Sequence, residues 1–158
     1  MADALDSLNG LIVPMAEQQL LLPNVAVAEL VGYRLSLPAE KGPEWFLGWT
    51  SWRDQKVPLL DPERLLGQQP AGQASAPART LILNALGGRA GMPFIGLRVW
   101  GIPRSRKVLR GEIEPAGEPR RFVRQPVRLA GSDEILLIPD LHAIEDALAG
   151  VVPAPTRA

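Results

Sequence analysis

The chain has 158 residues, 17 basic and 17 acidic groups that cancel, no cysteine and a single histidine, His142. That length suits one domain, or two small subdomains sharing a core. The composition excludes disulfides, thiol nucleophiles, zinc ribbons, iron–sulfur clusters, multi-histidine metal sites and most catalytic triads. No apolar run approaches the ~20 residues of a membrane span, and the opening MADALDSLNG lacks a basic leader segment, so a cytoplasmic protein without membrane insertion is expected.

With 15 glycines and 16 prolines, the sequence favours short strands and turns over long helices. Residues 11–15 (LIVPM) read as a strand whose proline confines it to an edge or an end. A turn at Ala16-Glu17 leads into residues 18–22, another short strand. Residues 25–33 (VAVAELVGY) alternate with period two, the pattern of a half-buried strand. Residues 34–43 read as a loop. Then comes WFLGWTSWRDQKVPLLD, in which three of the four tryptophans fall within eight residues. It predicts a hairpin, with strands at 45–52 and 56–60 and a turn at Arg53-Asp54-Gln55, Asp54 suiting a left-handed position. Strand alternation puts Leu47, Trp49 and Ser51 on one face and Phe46, Gly48, Thr50 and Trp52 on the other. Asp61-Pro62-Glu63-Arg64-Leu65-Leu66-Gly67 has the cap, first-turn proline and closing glycine of a single helical turn.

Residues 68–78 (QQPAGQASAPA) are small, polar and proline-broken, a loop between two halves. Strands follow at 79–86 and 93–101 around a glycine-rich turn at 87–91, with shorter ones at 107–110, 122–129 and 134–139. Asp140 caps a helix over 141–148 that ends near Gly150, and the tail is expected to be disordered. The pattern predicts an all-β fold of two successive barrels of about five strands. The first would span about 9–67 and the second about 79–149, with 150–158 as tail.

Walker, GxGxxG, GxSxG and HExxH motifs are absent. The 87–91 glycines lie between strands, with no helix to aim amides at a phosphate. His142 stands in an acidic neighbourhood without a nearby lysine and reads as a partly exposed helical residue. Glu112 and Glu114 share a strand face without a catalytic partner. Nothing in the sequence points to catalysis, and no cofactor or metal is implied.

Charge is uneven: residues 1–70 hold 5 basic and 9 acidic groups, and residues 71–158 hold 12 and 8. The stretch from Arg104 to Arg128 carries eight basic residues against three glutamates, which raises nucleic-acid binding as one alternative. Few aromatics are interleaved there and the pI is about 6.6, against what such a binder needs. A small-ligand sensor lined by Trp49, Trp52 or Trp100 is a second alternative.

The segment QLLLPNVAVAELVGY, followed after a proline-bearing loop by EWFLGWTSWRDQKVPLLDPERLLG, resembles the CheW-like coupling domain of bacterial chemosensory systems. Val27, Glu29 and Leu30 match the family's V-x-E-I strand. Pro43, Gly48, Arg53, Pro58, Leu59, Leu60 and Asp61 match the following block in order and spacing. Gly96, Leu97, Val99, Ile102, Ile113 and Pro115 match the second half, and EILLIPDLHAIEDAL resembles the closing strand and helix. The resemblance covers about residues 9–149, and the LLLPNVAVAEL and WFLGWTSWRD blocks are similar to the ChpC-type members of pilus-linked arrays. Asp54 stands where the family has glycine, Trp52 where it has leucine, and Trp100 where it has aspartate.

The resemblance implies two SH3-like barrels on a shared core, with short helices that include one near the C-terminus. It also implies a non-enzymatic adaptor that bridges the cytoplasmic tip of a methyl-accepting chemoreceptor to the regulatory domain of a CheA-like histidine kinase. Tryptophan and arginine are favoured interface anchors. The expected protein-binding face is therefore Glu29, Trp49, Trp52, Arg53, Asp54 and Gln55, with Glu29 and Arg53 paired across strands.

Overall fold

The computed structural model describes residues 7–15, 18–68, 77–86 and 92–151. The turn at Ala16-Glu17, most of the 68–78 loop, the 87–91 turn and nearly all of the tail lie outside the described residues. The elements are β1 (Ser7–Val13), β2 (Gln19–Pro23), β3 (Val27–Gly32), β4 (Leu37–Pro38), β5 (Phe46–Trp52), β6 (Gln55–Leu60), α1 (Pro62–Leu65), β7 (Ala78–Asn84), β8 (Phe94–Trp100), β9 (Arg104–Leu109), β10 (Ile113–Pro115), β11 (Val123–Leu129), β12 (Ile135–Pro139) and α2 (Leu141–Val151).

Several boundaries differ from expectation for local reasons. A 3-10 turn at Asn24–Ala26, closed by the Val27 amide on the Asn24 carbonyl, delays β3 to Val27. The segment 34–43 contains a strand after all, because Leu37 and Pro38 pair with Trp49 and Gly48. Strand β9 starts at Arg104, three residues early, since Arg104 to Leu109 form a continuous ladder with Ile12 to Ser7. Its run of basic side chains hides this extended segment from a hydrophobic-pattern reading.

The strands form two sheets of six, ordered β3-β7-β8-β6-β5-β4 and β10-β11-β12-β2-β1-β9. Read from β9, the second order repeats the first, with β1 and β2 in the places of β7 and β8. The register repeats as well. Phe46 pairs with Leu60 and Gly48 with Leu59 across a bulge in one sheet; Val123 pairs with Pro139 and Gln125 with Ile138 across a bulge in the other. Both sheets contain one parallel contact, β6 with β8 and β12 with β2. Both equivalent strands run into a capping aspartate: Asp61 accepts from the Glu63 and Arg64 amides, and Asp140 from the Ala143 amide at 3.0 Å.

This corrects the expected division at residues 68–78. The first barrel is built from β3 to β8, and the second combines β9 to β12 with the N-terminal β1 and β2. The N-terminal hairpin completes the later barrel because its ladder partners are β9 and β12. Each sheet holds six members instead of about five, the additional one being the short β4 or β10.

Alternation along each strand feeds separate apolar clusters. Leu81 and Leu83 on β7, Leu97 and Val99 on β8, Val13 and Leu22 from the other sheet, and Ile144 and Leu148 of α2 form the core between the barrels. Ile82, Val57 and Trp52 fill the first barrel, and Ile12, Leu21, Val108, Val127, Leu129 and Leu136 the second. Because β7 is buried on both faces, Leu81, Ile82 and Leu83 are all fully enclosed. Each such side chain contributes roughly 1.5–3 kcal/mol by leaving water.

Candidate functional site

Two residues, Arg53 and Asp54, connect β5 to β6, with φ of 48° and 61°. Positive φ at both central positions is the type I′ geometry whose twist matches that of paired strands. Asp54 tolerates it because a short polar side chain can occupy the left-handed region. Arg53 enters the same region without that advantage. Its side chain is held instead by its neighbours: the guanidinium carbon lies 4.8 Å from the Trp52 ring, and Nη2 donates to Glu29 Oε1 at 3.3 Å.

Glu29 sits on β3, at one end of its sheet order, whereas β5 and the hairpin lie near the other end. The expected Glu29–Arg53 pair is therefore present, and it spans the closure of the barrel. The stronger contact to Glu29 comes from Trp52, whose indole Nε1 donates to the same Oε1 at 2.9 Å. Trp52 is only 8% exposed and meets Phe94 edge-on at 4.7 Å between ring centroids. The expectation that Trp52 offers a contact face is corrected: the indole plugs the barrel mouth and supports Arg53 from beneath.

The simple alternation also fails at Phe46. Gly48, with φ of 135°, and the bulge between Phe46 and Gly48 turn Phe46 onto the same face as Trp49. Those two rings meet edge to face at 5.9 Å. A side chain at Gly48 would place its Cβ 2.2 Å from the Leu37 carbonyl oxygen, so the bulge requires glycine there.

Trp49 is half-buried, and its outer ring face carries the Lys56 ammonium at 4.4 Å. Lys56 and Leu37 were not anticipated. The signal for Lys56 was its place in a two-residue-turn hairpin, where it falls opposite Ser51 and beside Trp49. Leu37 pairs directly with Trp49 and is 51% exposed. An open depression of about 650 Å³ runs over this surface, lined by Leu37, Trp49, Arg53, Asp54, Gln55 and Lys56 among others.

The expected site residues thus cluster, with Glu29 and Trp52 forming the support and Trp49, Arg53, Asp54 and Gln55 the surface. The Arg53 and Glu29 side chains are 69% and 43% exposed. A pair so open to water contributes only about 0–1 kcal/mol to folding. Its geometric effect is larger: one edge of a planar five-donor fork is fixed and the rest faces solvent. The tip carries both signs of charge, Arg53 and Lys56 against Asp54 and Glu29, which favours oriented pairing over attraction to a uniformly charged polymer.

The alternatives find less support. In the basic segment Phe122 is buried, and Arg106 and Arg128 face Glu112 and Glu114, each at 3.8 Å. No exposed aromatic stacking platform accompanies that charge among the described residues. Trp100 packs on Arg98 at 5.2 Å, and Arg98 reaches Asp61 at 2.7 Å beyond the far end of β6. Trp49 and Trp52 both border the open depression at the hairpin, whereas Trp100 lies apart from it. Among the described residues, no group of three or more potential metal ligands occurs and no helix is long and apolar enough to cross a membrane.

Comparison with known proteins yields a family model, described as the CheW-like domain, that matches residues 9–148. Sequence comparison with curated proteins finds no match. Among solved structures, the scaffolding protein TtCheW from Thermoanaerobacter tengcongensis is similar in fold, with a TM-score of 0.68 at 22% identity, covering 85% of this chain and 89% of that one.

Proposed function

Because the chain belongs to the CheW-like domain family, we propose that it is a non-enzymatic chemosensory adaptor. It couples the cytoplasmic tip of a methyl-accepting chemoreceptor to the regulatory domain of a CheA-like histidine kinase, and is recruited from the cytoplasm to receptor arrays. It uses no cofactor or metal. The finer reading, attachment to a pilus-linked array that drives twitching, rests on the LLLPNVAVAEL and WFLGWTSWRD blocks.

The observation that carries this reading is the supported, solvent-facing guanidinium of Arg53 on a two-residue hairpin turn, flanked by the Trp49–Lys56 surface. Such a tip suits recognition because the donor fork is oriented before a partner arrives, so little side-chain freedom is lost on binding. Arg53 would anchor the partner, with Trp49, Asp54 and Gln55 contributing contact area and Glu29 holding the anchor in place.

The reading is tested by mixing the purified chain with a kinase regulatory domain and a receptor cytoplasmic fragment from the same genome. Co-migration of all three in size-exclusion chromatography is expected. Failure to bind either partner at tens of micromolar would overturn it.

A further inference from the structure

The two barrels repeat in register, and the comparison exposes one site that an indole fills in the first and a smaller leucine in the second. Ile82 and Ile12 hold equivalent positions: Ile82 pairs with Glu29 and Gly96, and Ile12 with Arg104 and Leu21. By the same register Trp52 corresponds to Leu129, and Phe94 to Gln19. In the first barrel the mouth is filled by the indole of Trp52 against Phe94, with Glu29 accepting from its N–H. In the second barrel the smaller Leu129 takes the place of the indole, and Arg104 stands where the first barrel has Glu29. A recess of about 210 Å³ remains, floored by Ile12, Leu129 and Leu136 and rimmed by Arg104 and Arg106.

The rim is available for an anion. Arg104 is exposed and makes no ion pair or side-chain hydrogen bond among the described residues. Arg106 has only the loose 3.8 Å contact with Glu112. Glu134 also lines the recess, but its carboxylate receives the Gln19 side-chain amide. Two guanidinium groups above an apolar floor match a ligand with a flat apolar body and an anionic end. The volume accommodates one such ring.

We propose that the mouth of the second barrel binds a small aromatic carboxylate, its ring seated in the recess over Leu129 and its carboxylate held by Arg104 and Arg106. This site lies apart from the Arg53 hairpin and does not depend on the adaptor reading.

The test is amide NMR on the full chain, titrated with phenylacetate and, separately, with neutral phenylacetamide. Saturable shifts confined to Ser105, Arg106, Ser132 and their neighbours are expected with the carboxylate, and weaker or absent shifts with the amide. Arg104→Gln combined with Arg106→Gln should weaken binding by at least about tenfold, the scale of losing one charge-assisted hydrogen bond. Leu129→Trp, which gives this mouth the residue of the other, should abolish binding. Should that variant fold poorly, the surface arginine pair still decides the matter. The proposal is overturned if phenylacetate produces no saturable shift, if the amide binds equally, or if the arginine variant titrates like the parent. Shifts by an acidic peptide alone would also overturn it, and make the mouth a protein-docking site.

Discussion

In the first barrel the position beside the hairpin turn is Trp52, and in the second it is Leu129, on strands that share order, register and bulge. Around Trp52 the mouth is sealed by an indole held by Glu29 and covered by Arg53. Around Leu129 a recess of about 210 Å³ remains, and Arg104 stands where the first barrel has Glu29. One backbone plan therefore presents two chemically different ends. The difference resides in three side chains at each mouth and in the turn: two residues in one barrel and a longer connection in the other. The short turn is what brings Arg53 into reach of both the indole and the carboxylate.

The comparison is broken most severely at the bulges. Gly48 and Gln125 are equivalent, but only Gly48 has positive φ among the two. Gly48→Gln should cost about 3–5 kcal/mol, from backbone strain plus collision with the Leu37 carbonyl. Gln125→Gly should cost only about 1–2 kcal/mol, through backbone entropy and loss of its hydrogen bonds to the Gly117 and Pro126 carbonyls. Urea unfolding of the two variants checks this; similar losses would mean that the bulges do not differ in the way described.

The two capping aspartates give the next contrast. Asp61 is 1% exposed and also holds Arg98 at 2.7 Å, whereas Asp140 is half-buried and its side chain caps α2. Asp61→Ala should destabilise by about 3 kcal/mol, because a mostly buried guanidinium loses its partner. Asp140→Ala should lose about 1 kcal/mol, a cap alone. Equal losses in thermal melts would show that the Arg98 pair contributes nothing.

Exchanging the plug sharpens the comparison further. Trp52→Leu gives the first barrel the residue of the second and should cost about 2 kcal/mol, for lost ring burial and an undonated Glu29 oxygen. A chain of this size would then melt lower by roughly 4–8 °C. An unchanged melting temperature would mean that the indole is not a structural plug.

Much of this was legible in the residues. The alternation of 48–52, the Arg53-Asp54 turn, the Asp61-Pro62 helix start and the Asp140 cap all carry local signals that require no tertiary context. The bulge at Gly48 was not legible, because a glycine in a strand does not announce which neighbour changes face. Simple alternation therefore puts Phe46 on the face opposite Trp49, and the bulge reverses it. The assignment of β1 and β2 to the second barrel also escaped, since strand pairing over a hundred residues leaves no trace in local pattern. At the candidate site the sequence carries the Glu29–Arg53 pair but not the burial of Trp52. Its burial depends on Phe94, which is distant in sequence and reaches the mouth only once β8 lies beside β6.

The smallest expected change in stability and the most informative change in binding belong to one variant, Arg53→Ala. Its side chain is largely exposed, so folding stability should stay within about 0.5 kcal/mol of the parent. Isothermal titration of the folded variant with the kinase regulatory domain should show affinity weaker by about 1–2 kcal/mol, roughly 5- to 30-fold. Affinity within about twofold of the parent, with the fold unchanged, would contradict the hairpin as the partner-binding face.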